Sequence, residues 1–155
     1  RGNHGSTGSS RLTHRPGPDG GPFFSHDGRQ IVFRGRALDA GPDGAGDGLD
    51  VWGDVSLAFD FGSGSLSGWM KPEIAPVWDI VPLGVYTFRD TVYSSGHTSF
   101  SGAFDVPGLS GPSAFQGSFT GPSAAELMAN WQAPYLNPDT NQAGTMAGVW
   151  IARRP

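Results

Sequence analysis

Few residues in this chain are of types that do chemistry, and their spacing argues for recognition rather than catalysis. A serine hydrolase needs a nucleophile on a strained turn, a positioned base and oxyanion donors. The histidines are His4, His14, His26 and His97, and no Gly-x-Ser-x-Gly turn stands between a strand and a helix. Gly62-Ser-Gly-Ser-Leu-Ser-Gly68 reads as a hairpin instead. Glycoside hydrolysis needs two carboxylates facing one another across a cleft. Asp39, Asp43, Asp47, Asp50 and Asp54 crowd one loop, and Asp60 with Glu73 is the remaining pair to consider. Gly44-Ala-Gly-Asp-Gly-Leu-Asp50 has the composition of a calcium-binding turn, but such turns stack in repeats and the chain has one copy, so a structural turn is expected. Haem ligation by His97 or a tyrosine lacks a second axial partner. Neither a metal nor a cofactor is expected, and no enzymatic activity.

Large aromatics offer the better site. Trp52, Trp78, Tyr86 and Tyr93, together with His97, fall in or near expected connections, and tryptophan and tyrosine are enriched where partners bind. The competing reading makes them caps on the ends of the core, because large aromatics are buried on average whatever the function.

The elements that must position these residues are strands. Residues two apart share one face of a strand, which aligns Phe100, Gly102 and Phe104, and likewise Phe115, Gly117 and Phe119, with Ser101 and Gln116 facing out. A bulky ring alternating with glycine suits the inside of a small, sharply coiled barrel. Outward serines and glutamines would contribute little to binding on this reading. The same period marks strands at 30–39, at Val55 to Phe61, through Leu66, Gly68 and Met70, and at 85–93, 98–106, 115–121, 129–135 and 145–153. Eight strands is the number at which side chains just fill a barrel. Arg34 and Arg36 share the outward face of the first, with Asp39 or Asp60 in reach as partners. Pro72, Pro76 and Pro82 argue for a loop over 71–83. Pro122 at a helix start, with Ser123 and Glu126 as a capping box, predicts one short helix over 122–128, before the seventh strand.

Composition agrees with an all-β fold of one domain. The 155 residues include 25 glycines, 13 prolines and 12% aromatics, a mixture of many turns and large core side chains. Residues 1–22 carry almost no apolar side chain and read as a flexible Gly/Ser/Pro-rich tail, ordered only against a neighbour; 23–155 form the barrel domain. A net charge of -4 argues against nucleic acid. Zero cysteines exclude disulfides and thiolate chemistry. No apolar run is long enough for a helix to span a membrane.

Three segments in order carry a resemblance to a known family. Phe115-Gln-Gly-Ser-Phe-Thr-Gly-Pro-Ser-Ala-Ala-Glu-Leu127 leads to a strand closing on Gly148-Val-Trp-Ile-Ala-Arg-Arg154. Val55-Ser-Leu-Ala-Phe-Asp-Phe-Gly-Ser-Gly-Ser-Leu-Ser-Gly68 is an apolar strand turning through Gly and Ser, and Gln30-Ile-Val-Phe-Arg-Gly35 stands where the first barrel strand belongs. Together they resemble the eight-stranded barrel of transferrin-binding protein B and its solute-binding-like relatives. The resemblance implies a bacterial binding module at a Gram-negative cell surface, associated with the outer membrane or secreted, that recognises a protein or small ligand through its loops. The handle domain that accompanies the barrel in that family has no expected counterpart among these residues. The rival class is a structural or accessory subunit of a larger extracellular or membrane-associated assembly, its tail threaded into a neighbour.

Overall fold

The computed structural model describes residues 23–24, 31–38, 48–60, 62–75, 79–94, 97–121 and 125–153. Among them every regular element is a strand, paired antiparallel with its neighbours. The strands are β1 (Phe23–Phe24), β2 (Ile31–Ala37), β3 (Asp50–Asp60), β4 (Ser65–Ile74), β5 (Val81–Pro82), β6 (Tyr86–Tyr93), β7 (Ser99–Asp105), β8 (Ala114–Thr120), β9 (Glu126–Leu136) and β10 (Ala143–Arg153). Their order runs β2-β10-β9-β8-β7-β6-β4-β3, and β3 pairs in turn with β2, so the sheet returns on itself as a ring. Two short strands lie off that ring: β1 on β2, and β5 on β4.

Alternation decides which side chains fill the ring. Along β9, Ala129, Trp131, Ala133 and Tyr135 are buried while Asn130 and Gln132 face solvent. Phe33, Val51, Val55, Met70, Phe100, Phe104, Phe115, Met146 and Trp150 complete the inward set. Glycines make room for the rings among them. Phe100 lies directly across from Gly117, and Gly102 directly across from Phe115, so two adjacent strands exchange ring and gap reciprocally. A side chain at Gly35 or Gly148 would likewise meet Trp131, with its Cβ 2.8 or 2.7 Å from the Trp131 Cζ2. Most of the rings meet edge to face or tilted, as at Phe59–Phe119 (4.7 Å between centroids) and Phe104–Trp150 (5.9 Å), while Phe88 stacks on Trp150. Such pairs each contribute about 0.5–1.5 kcal/mol beyond their burial.

Three sequence-based expectations change. Residues 71–74 continue β4 despite Pro72, which sits opposite Gly53. The Pro72 carbonyl accepts from Leu83 N (2.9 Å) on the side away from β3, so its missing N–H falls there too and the β3–β4 ladder loses nothing. Second, β3 starts at Asp50, earlier than the Val55 expected, which moves Trp52 from a connection into a strand. Third, no helix occurs among the described residues: Glu126, Leu127 and Met128 open β9 and pair with Thr120, Phe119 and Ser118. Ladder pairing on both sides outweighs the local capping pattern; Pro122 to Ala124 lie outside the described residues, as does the 1–22 segment.

Candidate functional site

Among the described residues the ring carries a register shift in β6. Arg89 pairs with Ala103, but the next pairing is Val92 with Ser101, so β6 carries one residue more than β7 over this span. Asp90 takes it up with φ 51°, a left-handed conformation that only glycine adopts freely. Arg89 holds the bulge, donating from Nε to the Phe104 carbonyl (3.2 Å) and contacting the Asp90 carboxylate. Thr91 Oγ1 donates to the Leu66 carbonyl (2.8 Å), tying the bulge to β4.

The extra residue inverts the alternation. Before it the even positions Tyr86 and Phe88 face the interior; after it Tyr93 does. Tyr93 is 7% exposed, its ring 5.6 Å from that of Phe59 and 6.0 Å from that of Phe119. Val92 is turned outward and is 63% exposed. It begins a row across three strands, since Val92 stands opposite Ser101 and Ser101 opposite Gln116.

At the described ends of the β6–β7 connection His97 N donates to the Ser94 carbonyl (3.0 Å), and Phe119 N on β8 donates to the Thr98 carbonyl (2.7 Å). Between hairpin and row lies a cleft of about 260 Å³. Ser94, His97, Ser99, Ser101, Gln116 and Val92 line it, over a floor of Tyr93 and Phe100. Among the described residues, none that lines it is acidic, lysine or arginine.

Of the aromatic set read from the sequence, the cleft brings together Tyr93 and His97. Trp52 faces outward near the start of β3, its Nε1 donating to Glu73 Oε2 (3.1 Å) directly across on β4. Tyr86 is core, its hydroxyl donating to the Pro134 carbonyl (3.0 Å), and burial pushes its phenol well above the ordinary range. Trp78 lies outside the described residues. Asp60 accepts from Gly62 N (2.9 Å) and Ser63 N (3.1 Å) at the β3–β4 turn, and those hydrogen bonds, with Ser63 foremost, hold its carboxyl below the usual value. Glu73 faces Trp52, eight positions along β3 from Asp60, which at ~3.4 Å per residue separates the two carboxylates by roughly 27 Å. They cannot share a glycosidic bond.

Most of the aspartate-rich loop is outside the described residues; at its end Arg36 donates to the Gly48 carbonyl (3.2 Å) and lies 3.9 Å from Asp50, its register partner. Arg36 therefore pairs with Asp50 rather than with Asp60. Among the described residues no three histidines or carboxylates gather as a metal site would require. Sequence reasoning discounted Ser101 and Gln116 as outward wall residues and did not single out Val92 or Ser99, and all four line the cleft. The available signal was the adjacent apolar pair Val92-Tyr93, which breaks the period of two and so marks a bulge.

No protein-family model, no curated protein and no solved structure matches this chain. The cleft's own geometry is what there is to argue from.

Proposed function

We propose that this chain is a non-enzymatic binding module of the transferrin-binding protein B-like type, an eight-stranded barrel displayed at or released from a Gram-negative surface. The closed pairing order supports the barrel, and the ring-filled interior leaves recognition to the outside. In this reading the ligand, protein or small molecule, engages the cleft beside the β6–β7 hairpin. The observation that carries it is the bulge at Asp90, because a strained residue that opens a cleft in an otherwise regular wall is the kind of irregularity that persists at functional sites.

The test is a pull-down from native surface extract, analysed for proteins and small molecules, using wild type, Ser101→Arg and Ile80→Arg. Ser101 lines the cleft; Ile80 is exposed just before β5, which pairs with the Glu73–Ile74 end of β4, away from the cleft's row. A partner kept by Ile80→Arg and lost by Ser101→Arg is expected. A partner retained equally by both would place recognition elsewhere.

A further inference from the structure

The chemistry of the cleft narrows what it can take. Several polar side chains on the ring are committed within it: Trp52 to Glu73, Thr91 to Leu66, Ser113 to Phe104, Asn137 to the turn that follows it. Those of Ser94, His97, Ser99, Ser101 and Gln116 make no hydrogen bond within the described protein. Three hydroxyls, a primary amide and an imidazole supply donors and acceptors together, and none is a carboxylate, ammonium or guanidinium.

Among the described lining residues an anionic ligand would find no cation to pair with and a cationic one no carboxylate, and the nearby Arg89 and Asp90 are paired with each other. A purely apolar ligand would bury these groups unpaired, at a loss for each. What satisfies the set is an uncharged molecule that both donates and accepts hydrogen bonds at several points and presents a C–H face to Val92. Sugar rings have that description.

Resting on the binding-module reading, we infer that the cleft is a subsite for a neutral saccharide, with Gln116 and Ser101 bonding its hydroxyls and Val92 packing on its ring. The row Val92, Ser101, Gln116 continues to Asn130, exposed opposite Gln116 on β9, so a chain of sugars has a polar, uncharged track to follow across the wall.

The test titrates ¹⁵N-labelled full-length protein with maltohexaose, with cellohexaose and, as a charged counterpart of equal length, with hexagalacturonate. Saturable amide shifts centred on 92–94, 97–101 and 114–118 are expected for at least one neutral hexaose, with hexagalacturonate at least about tenfold weaker. The Ser101→Ala, Gln116→Ala double variant should weaken the neutral ligand about tenfold, the loss of two hydrogen bonds, with an unchanged melting curve. Equal or tighter binding of hexagalacturonate at the cleft overturns the ligand class while leaving a binding module. No shift at the cleft with any saccharide also overturns the inference; the binding-module reading itself falls only on the separate pull-down result, a partner indifferent to Ser101→Arg.

Discussion

Phe115 occupies with its ring the space that a side chain at Gly102 would need, and the two residues face each other directly across β7 and β8. Phe100 does the same over Gly117 one step along the pair. Valine at either glycine must displace a buried ring or bend a strand. Gly102→Val and Gly117→Val should each cost about 1–3 kcal/mol in chemical denaturation. Wild-type midpoints for both would show that these rings do not pack as described.

The left-handed Asp90 makes an opposite pair of predictions. Asp90→Gly relieves the backbone and should be neutral or stabilising by up to about 1 kcal/mol, the exposed contact with Arg89 contributing little. Asp90→Val forces a branched side chain into that conformation and should destabilise by about 1–2 kcal/mol. Equal stabilities for the two variants would mean the bulge lies at another residue.

Tyr86 should govern the alkaline limb of stability. Its folded pKa is raised above the ordinary value of 10.0 by burial, so below about pH 10 both states hold the proton and the contribution is complete. Above that the unfolded chain ionises first, and stability falls by about 1.4 kcal/mol per pH unit. Tyr86→Phe should lose about 1–2 kcal/mol at neutral pH, through the orphaned Pro134 carbonyl, and show a shallower decline above pH 10. Parallel declines for the two proteins would contradict the buried phenol.

Asp60 should act on the acid side. Its carboxyl is held below the ordinary carboxylate value by hydrogen bonds from Ser63 and Gly62, so the stabilisation is present above about pH 4 and is lost as pH falls through the lowered folded value. Asp60→Ala should lower the melting temperature at neutral pH, and the gap to wild type should close in acid. A gap that stays constant down to pH 2 would assign the turn's stability to something other than that carboxylate.

Much of the ring could be read from residue order because its signal is local and periodic. Phe100, Gly102 and Phe104 against Phe115, Gly117 and Phe119 declare both the strand and its buried face, and the strand beginning near Gln30 and the one ending near Arg153 are recognised in the same way. What escaped depends on which neighbour a backbone group faces. Pro72 reads as a breaker until its carbonyl is seen to point away from β3, and Glu126 reads as a helix cap until Thr120 is seen to lie across from it. The cleft escaped for a third reason: a one-residue insertion at Asp90 exchanges the faces of Val92 and Tyr93, so strict alternation turns outward the tyrosine that packs inside, and hides the valine that stands outside.

The pairing of β2 with β10 sets the order in which the molecule can be assembled. Ala37 meets Met146 and Arg34 meets Val149, so the seam joins stretches separated by most of the intervening chain. Closing so long a loop is entropically slow. During synthesis the hairpin of β2 with β3 can zip early and β1 can pair with Ile31 and Val32, but the border of β2 from Arg34 to Ala37 must wait, its amides and carbonyls unsatisfied, until β10 has left the ribosome. That waiting border is where an intermediate would be captured by another nascent chain, and it makes the newly made protein a natural client for a holding chaperone until the last ring strand arrives.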